Sequence, residues 1–281
     1  MNIGIGLPIG DPGLLTTWAR RADAGPFSTL GLLDRVVYDN PEPLAALAVL
    51  AGATSRIRVQ TEVLLAPTRD TVLLAKQAAT IDRMTGGRLV LGLGVGTRHD
   101  DYAAVGADMR TRGRRLDEQL AVMRRLWSGA DLGDGIGPMG PRPARQDGPE
   151  VLLGGFQPPA LARVARWADG YLAAAPVPMV AGLFDTVREA WREHGREGRP
   201  RLVAQLSVAL GPQRLLDEAR EALLRYYAFT GMADRMAAGL LTTPTAVREA
   251  ITALVDLGAD EVMLYCYGLD PDQVDRLADV V

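Results

Sequence analysis

The sequence predicts a single-domain (β/α)8 barrel over residues 1–281, on three observations. Eight short apolar runs each lead into a helical stretch along the whole chain. The length of 281 residues suits one large α/β domain, since barrels of this class reach it without splitting. The glycine-rich run within GRLVLGLGVGTRHDDY, residues 87–102, falls at the fourth strand and not at the first.

The elements follow in order. Residues 3–7 read as the first strand, with a helical stretch beginning near Asp11 and Pro12. Residues 30–33 form the second strand and 41–53 its helix. A third strand, 57–65, is ended by Ala66 and Pro67. The next helix opens at Asp70 or Thr71, sets Leu74, Ala78 and Ile81 on one face and stops at Gly86. In the fourth strand Leu91, Leu93 and Val95 alternate with Gly92, Gly94 and Gly96, so one face carries no side chains. Its helix presents Leu116, Leu120, Met123 and Trp127 and ends before Gly129.

Strand five is 151–153, with a helix over 158–168. Strand six is 171–174, followed by a helix over 180–194, and strand seven is 202–208. Two helical stretches come next, about 215–227 and 244–257, the second with Thr243 as N-cap, Pro244 in first position and Gly258 at its end. Strand eight is 262–266, and a helix over 271–278 closes the chain. A Gly/Pro-rich stretch at about 128–149 has no periodicity and is either a surface linker or an active-site loop. It and residues 230–241 are the expected covers of the pocket. An open dinucleotide-binding sheet would also alternate, but the run is G-x-G-x-G, not G-x-G-x-x-G, and no acidic residue ends a strand about 20 residues later.

Composition narrows the chemistry. The net charge of −3 with mixed signs leaves no polybasic footprint for nucleic acid or membrane, so the expected partner is a small molecule. No signal-peptide pattern or run of about 18 apolar residues occurs, so a cytoplasmic location is expected. Cys266 is the single cysteine, and no metal site is expected. With two histidines, His99 and His194, and one lysine, Lys76, a three-histidine zinc site is impossible and Schiff-base chemistry would need a mid-helix lysine. A bound cofactor is therefore expected to carry any reaction.

Barrel sites lie at the C-terminal ends of the strands. Those ends here include Leu7; Asp34 and Arg35; Thr61, Glu62 and Val63; Gly94, Gly96, Thr97 and His99; Gly154, Gly155, Phe156, Gln157 and Pro158; and Ala175. They offer few acids and bases and suit a large flat ligand between apolar walls. The glycines of strand four either leave room for such a ligand or accommodate bulky neighbours across the barrel. The turn from Gly154 to Pro158 either presents backbone N–H groups to a phosphate or is a plain glycine turn.

The run LLAKQAATIDRMTGGRLVLGLGVGTRHDDYAAVGADMRTRGRRLDEQLAVMRRLW resembles the signature region of the luciferase-like flavin-dependent oxidoreductases, including their deazaflavin-dependent branch. VLLAPTRD, LLGGFQPPALARVARWADGYL, TPTAVREAITALVDLGADEVMLY and LLDRVVYDN extend the likeness over essentially the whole chain. The resemblance implies a (β/α)8 barrel that binds FMN or a deazaflavin (coenzyme F-420) at its C-terminal mouth, usually as a homodimer. It implies a non-prolyl cis peptide beneath the flavin ring near Glu62 and Val63, a cofactor lining at Gly94 to Thr97, and a phosphate turn at Gly154 to Pro158.

Many deazaflavin-using members carry Asp-His after the second strand, where this sequence has Asp34 and Arg35. Arginine stays protonated and cannot replace histidine as an acid or base, although it can bind an anionic flavin or a carboxylate. It could equally be a salt-bridging residue with Asp34 or Asp39. His99 is the remaining acid–base candidate at a strand end, unless it is a solvated loop histidine. The expected function is a monooxygenase using reduced FMN and dioxygen on a small apolar or aromatic metabolite, with a separate reductase supplying the reduced cofactor. The alternatives are deazaflavin-dependent hydride transfer and a non-catalytic ligand-binding barrel.

Overall fold

The computed structural model describes residues 1–8, 10–133 and 135–281. Its strands are β1 Asn2–Gly6, β2 Thr29–Leu32, β3 Arg58–Thr61, β4 Leu64–Leu65, β5 Leu89–Gly94, β6 Glu150–Gly154, β7 Gly170–Ala173, β8 Arg201–Val208 and β9 Glu261–Cys266. All pair in parallel, in the order β3-β2-β1-β9-β8-β7-β6-β5-β4. A further pairing of β3 with β5, Val59 to Leu89 and Gln60 to Val90, closes the sheet into a (β/α)8 barrel.

Parallel strands need crossovers, and helices supply them. The helices are α1 Pro12–Ala24, α2 Pro43–Gly52, α3 Thr71–Met84, α4 His99–Ala104, α5 Arg112–Trp127, α6 Pro158–Trp167, α7 Val177–Glu193, α8 Gln213–Tyr227, α9 Ala233–Ala238, α10 Pro244–Asp256 and α11 Asp272–Ala278. Their starts carry the expected chemistry: the side chains of Asp11, Asp70 and Thr243 accept from the N–H groups of Gly13, Leu73 and Ala246. The α5 stripe of Leu116, Leu120, Met123 and Trp127 is buried against the sheet, and the Trp127 indole donates to the Ala75 carbonyl at 3.0 Å.

Burial on both faces explains why the strands read as continuous apolar runs. Odd-numbered residues of β1, such as Ile3 and Ile5, belong to the core shared with the helices, whereas Gly4 and Gly6 face Met263 and Tyr265 inside the barrel. Val90, Leu152, Leu172, Val203 and Met263 pack the barrel interior. Below them an ionic floor joins Arg58 and Arg201 to Glu150, and Arg201, Ser28 and Thr29 to Glu261.

Two features differ from the sequence expectation. The third strand is not continuous over 57–65: it breaks between β3 and β4, at the non-prolyl cis peptide linking Glu62 to Val63 that the resemblance implies. The stretch 128–149 does not cover the pocket. It leaves the C-terminus of α5 and enters β6 from below, so it lies at the N-terminal end of the barrel. Lys76 donates to the Gly140 carbonyl at 2.5 Å, and Asp82 accepts from the Ala144 N–H at 2.8 Å, tying this stretch to α3.

The break also explains the bare face of β5. A Cβ on Gly92 would meet the Thr61 carbonyl, one on Gly94 would lie 2.5 Å from Val63 Cγ2, one on Gly96 would lie 2.8 Å from Leu65, and one on Gly154 would lie 3.2 Å from Val63 Cγ1. The room left by these glycines is filled by the protein itself. Gly92→Ala pushes a methyl into backbone that cannot move aside, so it should cost about 1–3 kcal/mol, as overpacked cores do. Urea denaturation of the variant against the parent measures this; an unchanged midpoint would refute the wedge.

Candidate active site at the barrel mouth

At the centre of the mouth Val63 sits half-buried on the interior cluster, its methyl groups between Gly94 and Gly154. It forms an apolar floor. Beside it, at the ends of β7 and β8, lies a cavity of about 260 Å³ walled by Ala174, Ala175, Leu206, Ser207, Met236 and Leu241. Residues 230–241, which include α9, cover this cavity through Arg235, Met236, Gly239 and Leu241, as expected. The Ala209 N–H and the Leu241 N–H, bonded at 2.9 and 3.0 Å to the carbonyls of Leu241 and Ser207, fasten that cover to β8.

The two residues after β2 diverge. Asp34 is buried, and its carboxylate accepts from the Leu65 N–H at 2.8 Å and from the Arg69 guanidinium at 2.7 and 3.2 Å. Burial raises its pKa, with the Arg69 charge opposing. With its oxygens so engaged, Asp34 ties the end of β2 to the segment after β4. Arg35 turns the other way: its Nε donates to Asp101 at 2.9 Å, and Asp101 also accepts from the Val36 and Val37 N–H groups. Its partner is therefore neither Asp34 nor Asp39. The guanidinium carbon lies 5.5 Å from the ring centre of Tyr38, 5.7 Å from Tyr226 and 5.2 Å from Phe229.

The remaining expected residues separate into three groups. Leu7 packs in the core beneath the helices, Thr61 donates its hydroxyl to the Gly92 carbonyl at 2.7 Å, and Glu62 points down the barrel axis; none of these three side chains faces the mouth. Val63, Gly96, Gly154 and Gly155 form the surface of the mouth, Gly94 is buried against Val63, and Ala175 lines the cavity. Thr97, His99, Phe156, Gln157 and Pro158 are exposed, and His99 opens the short helix α4. At the Gly154–Pro158 turn, Pro158 and Pro159 lack N–H groups, and those of Ala160 and Leu161 donate to the Gln157 carbonyl at 2.8 and 3.1 Å. An anion there would be held by N–H groups no later than Gln157.

Asp101, Arg69, Tyr226 and Phe229 were not singled out from the sequence. Nothing local marks them; each is brought to the mouth from a helix or turn outside the strand ends. Among the described residues no group of three or more His, Cys, Asp or Glu side chains is arranged to hold a metal ion, and no helix is long and apolar enough to cross a membrane.

Under the floor, Glu62 accepts from the Gln60 amide while its Oε2 and the facing Tyr265 hydroxyl lack partners of good geometry. Burial raises the Glu62 pKa to about 8, with Glu261 adding to the shift and Gln60 opposing it.

The chain matches the luciferase-like monooxygenase family over residues 7–264. It belongs to that family, within the (β/α)8 barrel class that the fold defines. An uncharacterized protein of Mycobacterium tuberculosis (strain ATCC 25618 / H37Rv) is 30% identical over 203 residues, 70% of this chain and 71% of that one. Among solved structures, an F420-dependent secondary alcohol dehydrogenase in complex with an F420-acetone adduct superposes with a TM-score of 0.80 at 17% identity, covering 100% of this chain and 98% of the other. The oxygenating constituent of 3,6-diketocamphane monooxygenase from Pseudomonas putida, in complex with FMN, gives 0.75 at 16% identity with the same coverage.

The Glu62 carboxyl gives a pH signature. Folded, it keeps its proton up to about 8; unfolded, it loses it near the ordinary glutamate value. Between those values the folded state holds the extra proton, so its contribution to stability is complete at low pH and declines as pH rises to about 8. Glu62→Gln should flatten that decline, a difference on the order of a few kcal/mol. Urea melts between pH 5 and pH 9, in steps of about one unit across the glutamate-to-shifted range, measure it, and parallel profiles for both proteins would contradict the assignment.

Proposed function

We propose that this protein is a flavin-dependent monooxygenase that uses reduced FMN and dioxygen on a small aromatic or apolar metabolite. One observation carries the reading: the ionisable side chains lining the cavity are Arg235 and Tyr227, and burial raises the Tyr227 pKa. Neither is a general acid or base near neutral pH, so the walls bind and shield while a bound redox group does the chemistry. Arg35, ion-paired and ringed by aromatics, stands where an acid–base histidine would serve hydride transfer to a deazaflavin. This favours FMN.

The mouth suits a flat ring system. Val63 offers an apolar floor, Gly94 to Thr97 and Ala175 surround it with little side-chain bulk, and the turn from Gly154 to Gln157 is the proposed seat of the phosphate. When bound, reduced FMN supplies two electrons and activates dioxygen. The chain's own residues orient the ring and exclude water through the Met236 and Leu241 cover. Reduction takes place on a separate reductase, and the protein works as a homodimer.

Fluorescence titration with FMN and with a deazaflavin, followed by turnover with reduced FMN and oxygen, tests the proposal. FMN should bind and an oxygenated product should form. Selective binding of the deazaflavin would transfer the protein to the hydride-transfer branch, and binding without turnover of any tested substrate class would favour a ligand-binding barrel. Ala175→Trp, which fills the cavity, should weaken FMN at least tenfold, or about 1.4 kcal/mol, without lowering the melting temperature.

A further inference from the structure

Arg35 is 8% exposed, and with Nε bound to Asp101, both its Nη atoms lack a hydrogen-bond acceptor. Buried charged donors normally find one. Their neighbours are the rings of Tyr38, Tyr226 and Phe229, which attract the cation, and the neutral Tyr226 hydroxyl, so no anionic acceptor meets them. Two of those rings are built in: Tyr226 is buried in α8, and Tyr38 meets it edge-on at 5.6 Å.

Phe229 differs. It is 40% exposed, belongs to none of the hydrophobic clusters of the described residues, and sits in the turn Ala228–Thr230 that ends at Gly231 with φ +69°. Its ring rests on two cations, 5.2 Å from the Arg35 guanidinium and 4.6 Å from that of Arg98. Arg35 follows β2 and Arg98 follows β5, the two strands that flank β3, so this seat adjoins the Val63 floor.

We infer that the place held by Phe229 between Arg35 and Arg98 is a substrate subsite for an aromatic carboxylate. Resting on the oxygenase reading, this narrows its substrate class. The substrate ring takes over the Arg98 guanidinium face as Phe229 swings out with its turn, and the carboxylate accepts in-plane hydrogen bonds from the Arg35 Nη groups. Asp100 pairs with Arg98 and Asp101 with Arg35, so the cluster has donors for one planar monoanion and lacks the surplus positive charge a phosphate dianion needs.

Calorimetric titration of the full chain with benzoate, and with benzamide as its neutral isostere, tests the subsite. Benzoate should bind at least tenfold more tightly. Phe229→Ala should strengthen benzoate several-fold, because the competing ring is gone, and the exposed position makes loss of the fold no concern. Arg35→Met should remove the preference for benzoate over benzamide. Equal binding of the two probes by the parent, or weaker benzoate binding by Phe229→Ala, would overturn the inference. FMN titration of the same samples separates the two claims: FMN binding without benzoate preference rejects the subsite alone, whereas benzoate preference without FMN binding rejects the cofactor reading alone.

Discussion

The wedge of Val63 against Gly92, Gly94 and Gly154 is the contact on which the rest of the mouth depends. A parallel barrel of eight strands must fill its interior with side chains, and here Val63 caps the layer that Val90, Leu152, Leu172, Val203 and Met263 supply. Because β3 breaks after Thr61, Val63 reaches over the interior toward β5 and β6 instead of continuing the ladder. β4 then resumes pairing with β5 at Leu64 and Leu65. The sheet closes below the break, where Val59 and Gln60 pair with β5, and the apolar floor of Val63 lies above it.

Charge is distributed around the break in two tiers. Below, Glu150, Glu261, Arg58 and Arg201 compensate one another across four strands, so the fully buried Glu261 carboxylate has a charged partner. Above, the consecutive residues Asp34 and Arg35 reach in opposite directions, one to Arg69 beside β4 and the other to Asp101 in α4. The end of β2 is thereby fixed to both neighbours of the break. Losing either ion pair would leave a buried charge unmatched, and that burial makes them positioning elements.

The fold was legible because its signals are local. Strand and helix runs, the caps at Asp11, Asp70 and Thr243 and the α5 stripe each lie within a few residues of sequence. The purpose of the strand-four glycines was not legible, since what fills their space comes from residues some 30 positions away. The cage around Arg35 was hidden for the same reason: Asp101, Tyr226 and Phe229 meet only once the barrel closes. The position of the stretch 128–149 was readable in principle. A segment running from a helix into a strand belongs at the N-terminal end of such a barrel, and only segments running from strand to helix reach the mouth. Residues 230–241, which follow strand β8, obey that rule.

The lone lysine has a consequence for handling the molecule. Lys76 is exposed on the flank of the barrel, where its ammonium holds the Gly140 carbonyl of the lower stretch. Every other basic side chain apart from the two histidines is an arginine. Amine-directed reagents therefore have one side chain to find, and it lies on a surface that takes no part in the mouth. A dye, a bead or a crosslinker attached there leaves the floor, the cavity and the arginine–aromatic cage facing free solution.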